Sequence, residues 1–530
     1  MKKWRFWMLW EGSRKGLFIS AHRATEAGRS SPGEGCDARS ETYNRSPMKL
    51  TRLLFCGGVL CAAAFAQDRV MQEALRTDSP LYENLRVLTD EIGGRVPGTP
   101  QMTAAEQWAV ERFKQAGADS VHLEEFTIPA SWSEGATEVN IVAPTEFHVR
   151  ATSIAWTPAL AKTTARVVSV GMGSAEEFAK AGDISGAIVL VNSHVNEKWI
   201  DLFNEYFNPP PIIARAIQGH ALALAFTATR EHDILYRHID GVFGEIAKIP
   251  EVLLAREDAL RIQRILASGK PVKMSLSLPN KVGGKITAHN VVADLKGSEL
   301  PNEVVILGAH LDSWNLGTGA LDNGCNAALT IDSLRAIKAA GVKPRRTLRF
   351  ILFAGEEQGI LGSWAYVRAH RGELDNVQAV VVVDSGVGQF NGWATQGHKE
   401  VMEPLKALVA PFAQWNATAI TEDAELGTDN YDFMMEGVPT ILPDQPEFNY
   451  LPNYHAISDT FDKVDFEQLR KNEAMSAELM VELANVPERI GRRYHRKEIE
   501  ASFADTHFDE QMKGFGAWEA WVDGTRGRKD

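Results

Sequence analysis

At 530 residues the chain is too long for one small module, and its length suggests two or three domains. A hydrophobic share of 44% suffices for a sizeable core. A formal charge of -13 argues against a nucleic-acid partner, because phosphate binding needs a basic surface.

The N-terminus reads as two successive starts. Residues 1–47 are polar, rich in Gly, Ser and Arg, and lack a clear period, so they are expected to be a misassigned upstream extension. Met48-Lys49-Leu50-Thr51-Arg52 is a short basic segment, followed by an apolar stretch from Leu53 to Ala66. The small-x-small ending Ala64-Phe65-Ala66 before Gln67 makes residues 48–66 a secretory signal peptide. The stretch is too short for a membrane helix. Val59-Leu60 before Cys61 is a poor lipid-attachment signal. Both segments are net basic, so the chain beyond Ala66 is more acidic than the whole, as suits a secreted or periplasmic protein. Only Cys325, of the four cysteines, lies beyond Ala66, so no intramolecular disulfide is expected there.

Residues 67–130 read as helix, then strand. Ala104 to Ala116 has helical spacing and Val121 to Ile128 alternates, after a Gly- and Pro-punctuated loop from Ile92 to Pro100. Residues 131–285 change character. Short strand-like runs dominate, at 165–170, 187–191, 222–227 and 272–278, and indicate an inserted β-rich domain. From 286 to 490 strands and helices alternate. Strands are expected at 304–308, 347–354, 377–383 and 438–442, with helices at 323–340, 360–370, 401–415 and 466–484. Strands buried on both faces and separated by helices imply an α/β fold, a mainly parallel sheet sandwiched by helices. Residues 491–530 are charged and aromatic without period, and read as a C-terminal tail or edge element.

Candidate chemistry gathers at the carboxyl ends of those strands, where such sheets place their sites. His310 and Asp312 share a strand face if the extended geometry persists, and Asp312 can then accept a hydrogen bond from His310 and fix its tautomer. Asp322 precedes a helix; alone it reads as an N-cap, but one carboxylate there can also bridge two cations. Glu356-Glu357 follows a strand, and two adjacent buried carboxylates are costly unless something positive meets them. Their side chains diverge, which suits Glu357 as metal ligand and Glu356 as general base. Asp384 alone is equally a strand-end carboxylate, and a lone loop histidine such as His455 is usually exposed. Taken as an ordered set they form two ion sites: His310 with Asp384, Glu357 with His455, and Asp322 bridging. Three carboxylates against two Zn²⁺ leave one positive charge, which suits a bridging hydroxide.

The motifs His310-x-Asp312, Asp322-Asn323-Gly324, Glu356-Glu357, Asp384 and His455 resemble, in this order, those of the di-zinc exopeptidase family of bacterial aminopeptidases and plasma glutamate carboxypeptidase. Gly308 to Gly324, Gly427-Thr428-Asp429 and Tyr454 to Thr460 look closest to its carboxypeptidase Q branch. The resemblance implies His310, Asp322, Glu357, Asp384 and His455 as ligands of two zinc ions per chain, with Glu356 as base and Asp312 beside it in the catalytic set. It also implies a protease-associated domain at 131–285, where Gly182 to Val191 looks like that domain's strand entry, within a catalytic domain of 67–130 and 286–490. Relatives carry a small residue and a Gly where Cys325-Asn326 stands here. The reading is an exported exopeptidase cleaving the N-terminal bond of dipeptides or short peptides. Its partners are a peptide substrate, with no nucleic acid and no membrane span, and a homodimer is the candidate assembly. A single-zinc glutaminyl cyclase and a non-catalytic receptor-like protein are the alternatives, separable by zinc content and amide hydrolysis.

Overall fold

The computed structural model describes residues 69–240 and 243–529. The expected upstream extension and signal peptide lie outside the described residues. Eight strands form the main sheet: β1 (Ser120–Ile128), β2 (Ile286–Leu295), β3 (Leu300–His310), β4 (Arg346–Phe353), β5 (Val377–Val382), β6 (Gly392–Ala394), β7 (Ala419–Thr421) and β8 (Thr440–Asp444). Their spatial order is β1-β2-β4-β3-β5-β8-β6-β7. The central strands β4, β3, β5 and β8 run parallel, but β1 with β2, β2 with β4, and β8 with β6 are antiparallel. The sheet is therefore mixed, where a mainly parallel one was expected. The apolar runs disclose burial on both faces, and burial alone does not encode strand direction.

Alternation along each strand builds two cores from one sheet. Val305, Leu307, Leu348, Phe350, Ala379 and Val381 face one side, where α1 (Pro100–Ala116), α2 (Cys325–Ala339) and α6 (Phe466–Asn485) cover them. Ile306, Ile351, Val380 and Val382 face the other, packed on Tyr366 of α3 (Leu361–Ala369) and Phe433 of α5 (Asn430–Met435). A further helix, α4 (Lys399–Leu408), starts the segment expected as one helix over 401–415. It stops at Val409, and Ala410–Trp415 forms a separate 3₁₀ segment. Pro411 has no N–H to extend α4.

The hairpin β1–β2 sets Ile128 opposite Ile286, so everything between them leaves and returns at one point of the sheet. Within that excursion lies a second eight-stranded sheet, drawn from strands between Glu138 and Leu278. Its middle strands Leu160–Ser169, Ile188–Val191, Ala223–Thr227 and Glu251–Leu254 run parallel. Helices Ala175–Ala181 and Pro209–Gln218 lie between the first three and Arg256–Ala267 follows the fourth, so the region carries more helix than its short strand-like runs suggested.

The C-terminal residues, read as a tail or edge element, form three helices: α7 (Arg496–Thr506), α8 (Phe508–Gly514) and α9 (Trp518–Val522). Ile499, Phe503, Phe508, Met512 and Trp521 bury themselves against Tyr431, Met434 and Met435 of α5. Helices this short leave too few turns for a period to show in sequence. No described helix is long and apolar enough to cross a membrane.

Candidate metal centre

Three neighbouring strands deliver the site. His310 is the last residue of β3, Glu356 and Glu357 follow the end of β4, and Asp384 lies two residues past β5. Asp322 sits in the irregular turn before α2, and His455 follows the short helix Tyr450–Asn453. All of them lie at the carboxyl ends of the parallel strands or in loops that reach over them.

Two groups result. His310 Nε2 lies 3.2 Å from Asp322 Oδ1 and 3.3 Å from Asp384 Oδ1. His455 Nε2 lies 2.9 Å from Glu357 Oε2 and 3.4 Å from Asp322 Oδ2. Within each group the donor atoms lie within 4.8 Å of one another. Asp322 thus offers one oxygen to each group. His310 Nε2, Asp322 Oδ2, Glu357 Oε1 and Asp384 Oδ1 are buried without a hydrogen-bond partner. Burying such groups unpaired is costly, and a cation removes the cost. Imidazole nitrogen and carboxylate oxygen in sets of three are donors that suit Zn²⁺.

Both imidazoles are aimed by their far nitrogens. His310 Nδ1 donates to the carbonyl oxygen of Asp312 (2.9 Å), and His455 Nδ1 donates to that of Arg237 (3.1 Å), from the inserted region. Each Nε2 is thereby turned toward the carboxylates. Burial, together with the nearby cations His238 and Arg230, outweighs Asp322 and lowers His455 to about 4, so it is neutral at neutral pH. His310 behaves oppositely. Burial lowers it, but Asp384 and Asp322 overcome that and hold it well above the usual histidine range. The carboxylates that raise its affinity for a proton would do the same for a metal ion.

Asp312 departs from its expected contact. Its carboxylate stands 3.8 Å from His310 Nδ1, and its backbone carbonyl orients the ring instead. The strand ends at His310, so the alternation that would place the two side chains on one face stops there. The Asp312 carboxylate accepts the N–H groups of Glu356 and Glu357 (3.3 Å each), fixing the turn between them. Glu356 belongs to neither three-residue group. Burial first, then the Asp384, Glu357 and Asp429 carboxylates, push it well above the ordinary range against the pull of His310.

Several supporting residues were given no role in the sequence reading. Asp459 accepts the N–H groups of Ala320 (3.1 Å), Leu321 (2.7 Å) and Asp322 (3.2 Å), and so fixes the Asp322 turn. The buried guanidinium of Arg95 donates to the carbonyls of Leu311 (2.6 Å), Thr318 (2.8 Å) and Gly319 (2.9 Å), tying the His310 strand end to the same turn. Tyr454 stacks on His455 at 3.7 Å between ring centroids, and its hydroxyl lies 2.7 Å from that of Tyr206 in the inserted region. Asp429, inside a motif noted only for resemblance, is buried and pushed up to about 8 by that burial.

Residues 290–480 match peptidase family M28. Carboxypeptidase Q of Rattus norvegicus is 29% identical over 420 residues, covering 78% of this chain and 86% of that protein. The Homo sapiens carboxypeptidase Q is 28% identical over 427 residues, with the same coverage. The crystal structure of a peptidase M28 precursor from Shewanella amazonensis SB2B superposes with a TM-score of 0.70 at 25% identity, over 80% of this chain and 98% of that one. BSAP, a zinc aminopeptidase from Bacillus subtilis, shares the fold with a TM-score of 0.61 at 18% identity, over 79% and 98%.

Proposed function

We propose that the chain, whose residues 290–480 match peptidase family M28, is an exported metallo-exopeptidase working with two zinc ions. Its substrates on this reading are dipeptides or short peptides, cut at the N-terminal peptide bond. The observation that carries the two-ion reading is Asp322, with one carboxylate oxygen toward each three-residue group. His310 and Asp384 would hold one ion, Glu357 and His455 the other, and Asp322 both. Zinc in such a place supplies Lewis acidity toward a carbonyl and lowers the pKa of water. Glu356, outside both groups, takes the proton from the attacking water on its carboxylate and returns it to the leaving amine. Tyr454 and the carbonyls of Asp312 and Arg237 keep the imidazoles fixed while this happens.

Elemental analysis of purified protein, run beside dipeptide hydrolysis, tests the count. Two zinc ions per chain are expected. One tightly held ion with full turnover would remove the bridging role of Asp322. The second sheet is assigned as a protease-associated domain on the strength of Gly182 to Val191 alone. Export rests on the apolar run and Ala64-Phe65-Ala66 ending, and N-terminal sequencing of exported protein should begin at Gln67; a lipid on Cys61 would refute it.

A further inference from the structure

The turn that bears the two glutamates is held in an uncommon backbone. Gly355, Gly359 and Ile360 have φ of 72°, 114° and 59°. Left-handed geometry suits glycine but is a genuine outlier for a β-branched residue, and it persists where surroundings over-determine it. The Glu356 carbonyl accepts the N–H groups of Gly359 (2.9 Å) and Ile360 (2.7 Å), so the conformation at 359 and 360 bears directly on Glu356.

What over-determines the turn is a residue far beyond 480, where the family match ends. Arg526, buried after α9, donates to the carbonyls of Gly359 (3.2 Å) and Ile360 (2.7 Å). The same guanidinium makes a bidentate pair with Asp432 of α5, both bonds 2.7 Å, and Asp432 also accepts from Ser363 Oγ at 2.9 Å. Tyr431 and Trp364 flank it at 4.7 Å and 5.0 Å from ring centroids. A fork of donors in fixed geometry can satisfy two successive carbonyls and a carboxylate together, which a lysine cannot.

We propose that Arg526 is a positioning residue for the base, and that the C-terminal helices serve to deliver it to the Glu356 turn. The proposal rests on the reading of Glu356 as the base. The test uses the full, zinc-loaded chain. Arg526→Ala alone strands the Asp432 charge, so it is paired with Asp432→Asn, and Arg526→Lys is made separately. Turnover of a dipeptide that the parent cleaves, KM, bound zinc and thermal melting are measured with and without millimolar guanidinium. We expect the paired variant to lose about 10–100-fold in kcat, the scale on which a misplacement of about 1 Å acts, with zinc and KM held. Guanidinium should restore part of the loss, and Arg526→Lys should fall between. Parent-level kcat in Arg526→Lys and in the paired variant overturns the proposal. So does a kcat loss that tracks lost zinc or lost folding in both and is not restored by guanidinium. Glu356→Gln is assayed in parallel. If it turns over normally, the base assignment fails on its own account; if it is inactive while the Arg526 variants are normal, only the positioning role fails.

Discussion

Glu356 and Glu357 are neighbours with opposite assignments, and their amides should tell them apart. Glu357→Gln removes a charge that faces His455 Nε2 at 2.9 Å, so it should lower zinc occupancy itself. Glu356→Gln should keep both ions and lose about 10²–10⁴-fold in turnover, the range of general acid–base contributions. Zinc content and kcat measured side by side would exchange the roles if the losses are exchanged. His310, Glu357 and Asp384 were legible because each ends or follows an apolar run, which makes a carboxylate or imidazole there conspicuous, while Asp322 and His455, in loops, stood out only within the ordered set. Asp312 was misread because strand alternation was carried one step past His310. Asp459, quoted only within the Tyr454 to Thr460 motif, and Arg95 were given no role because what they hold lies more than a hundred residues away, and nothing local marks a carboxylate or guanidinium that serves backbone groups. The same holds for Arg237, whose carbonyl could not have been noticed in a sequence at all.

At the level of elements, the pairing of α2 with α6 contains a buried acid. Glu473 of α6 is fully buried, and burial, then the Asp332 carboxylate of α2, push it well above the usual range despite Arg335. The raised folded-state pKa fixes the sign. Below the unfolded value of about 4.3 both states are protonated and Glu473 costs nothing. As pH rises from there toward the folded pKa, the unfolded chain releases the proton first and stability drains away. Glu473→Gln should therefore match the parent in acid and gain on it progressively as pH rises. Melting temperatures of both proteins across the acid to neutral range check this, and a constant offset would refute it. The elements most legible in sequence were those with the longest uniform pattern. Val377–Val382 and Phe466–Asn485 fell within a residue or two of expectation. The parallel order of the central strands followed from their alternation with helices, while the antiparallel partners β1, β2 and β6 did not. Their direction is set by which edge the chain enters, and hydrophobicity carries no record of that.

Across the whole molecule, the candidate metal centre joins strand ends of the main sheet to the Arg237 carbonyl of the inserted region, so an ion held there should be felt globally. Binding to the native state alone contributes about 4 kcal/mol when free ligand stands roughly a thousandfold above Kd. Treatment with a strong chelator should abolish hydrolysis and lower the melting temperature by several degrees, and restored zinc should return both. Unchanged melting after complete metal removal, followed by elemental analysis, would mean that the buried carboxylates are neutralised some other way.

The hairpin between Ile128 and Ile286 gives this arrangement an asymmetry of its own. To the main sheet, the entire second sheet is only the loop of a turn. Its ends are already side by side, and loop-closure entropy grows slowly with length, so the register of β1 on β2 is indifferent to what the loop contains. A longer, shorter or different excursion could therefore be carried without moving one strand of the scaffold. His455 sets the limit on that freedom. Its ring is steered by the carbonyl of Arg237, so any substitute loop must bring an acceptor back to the same spot, although no particular side chain is needed to provide it.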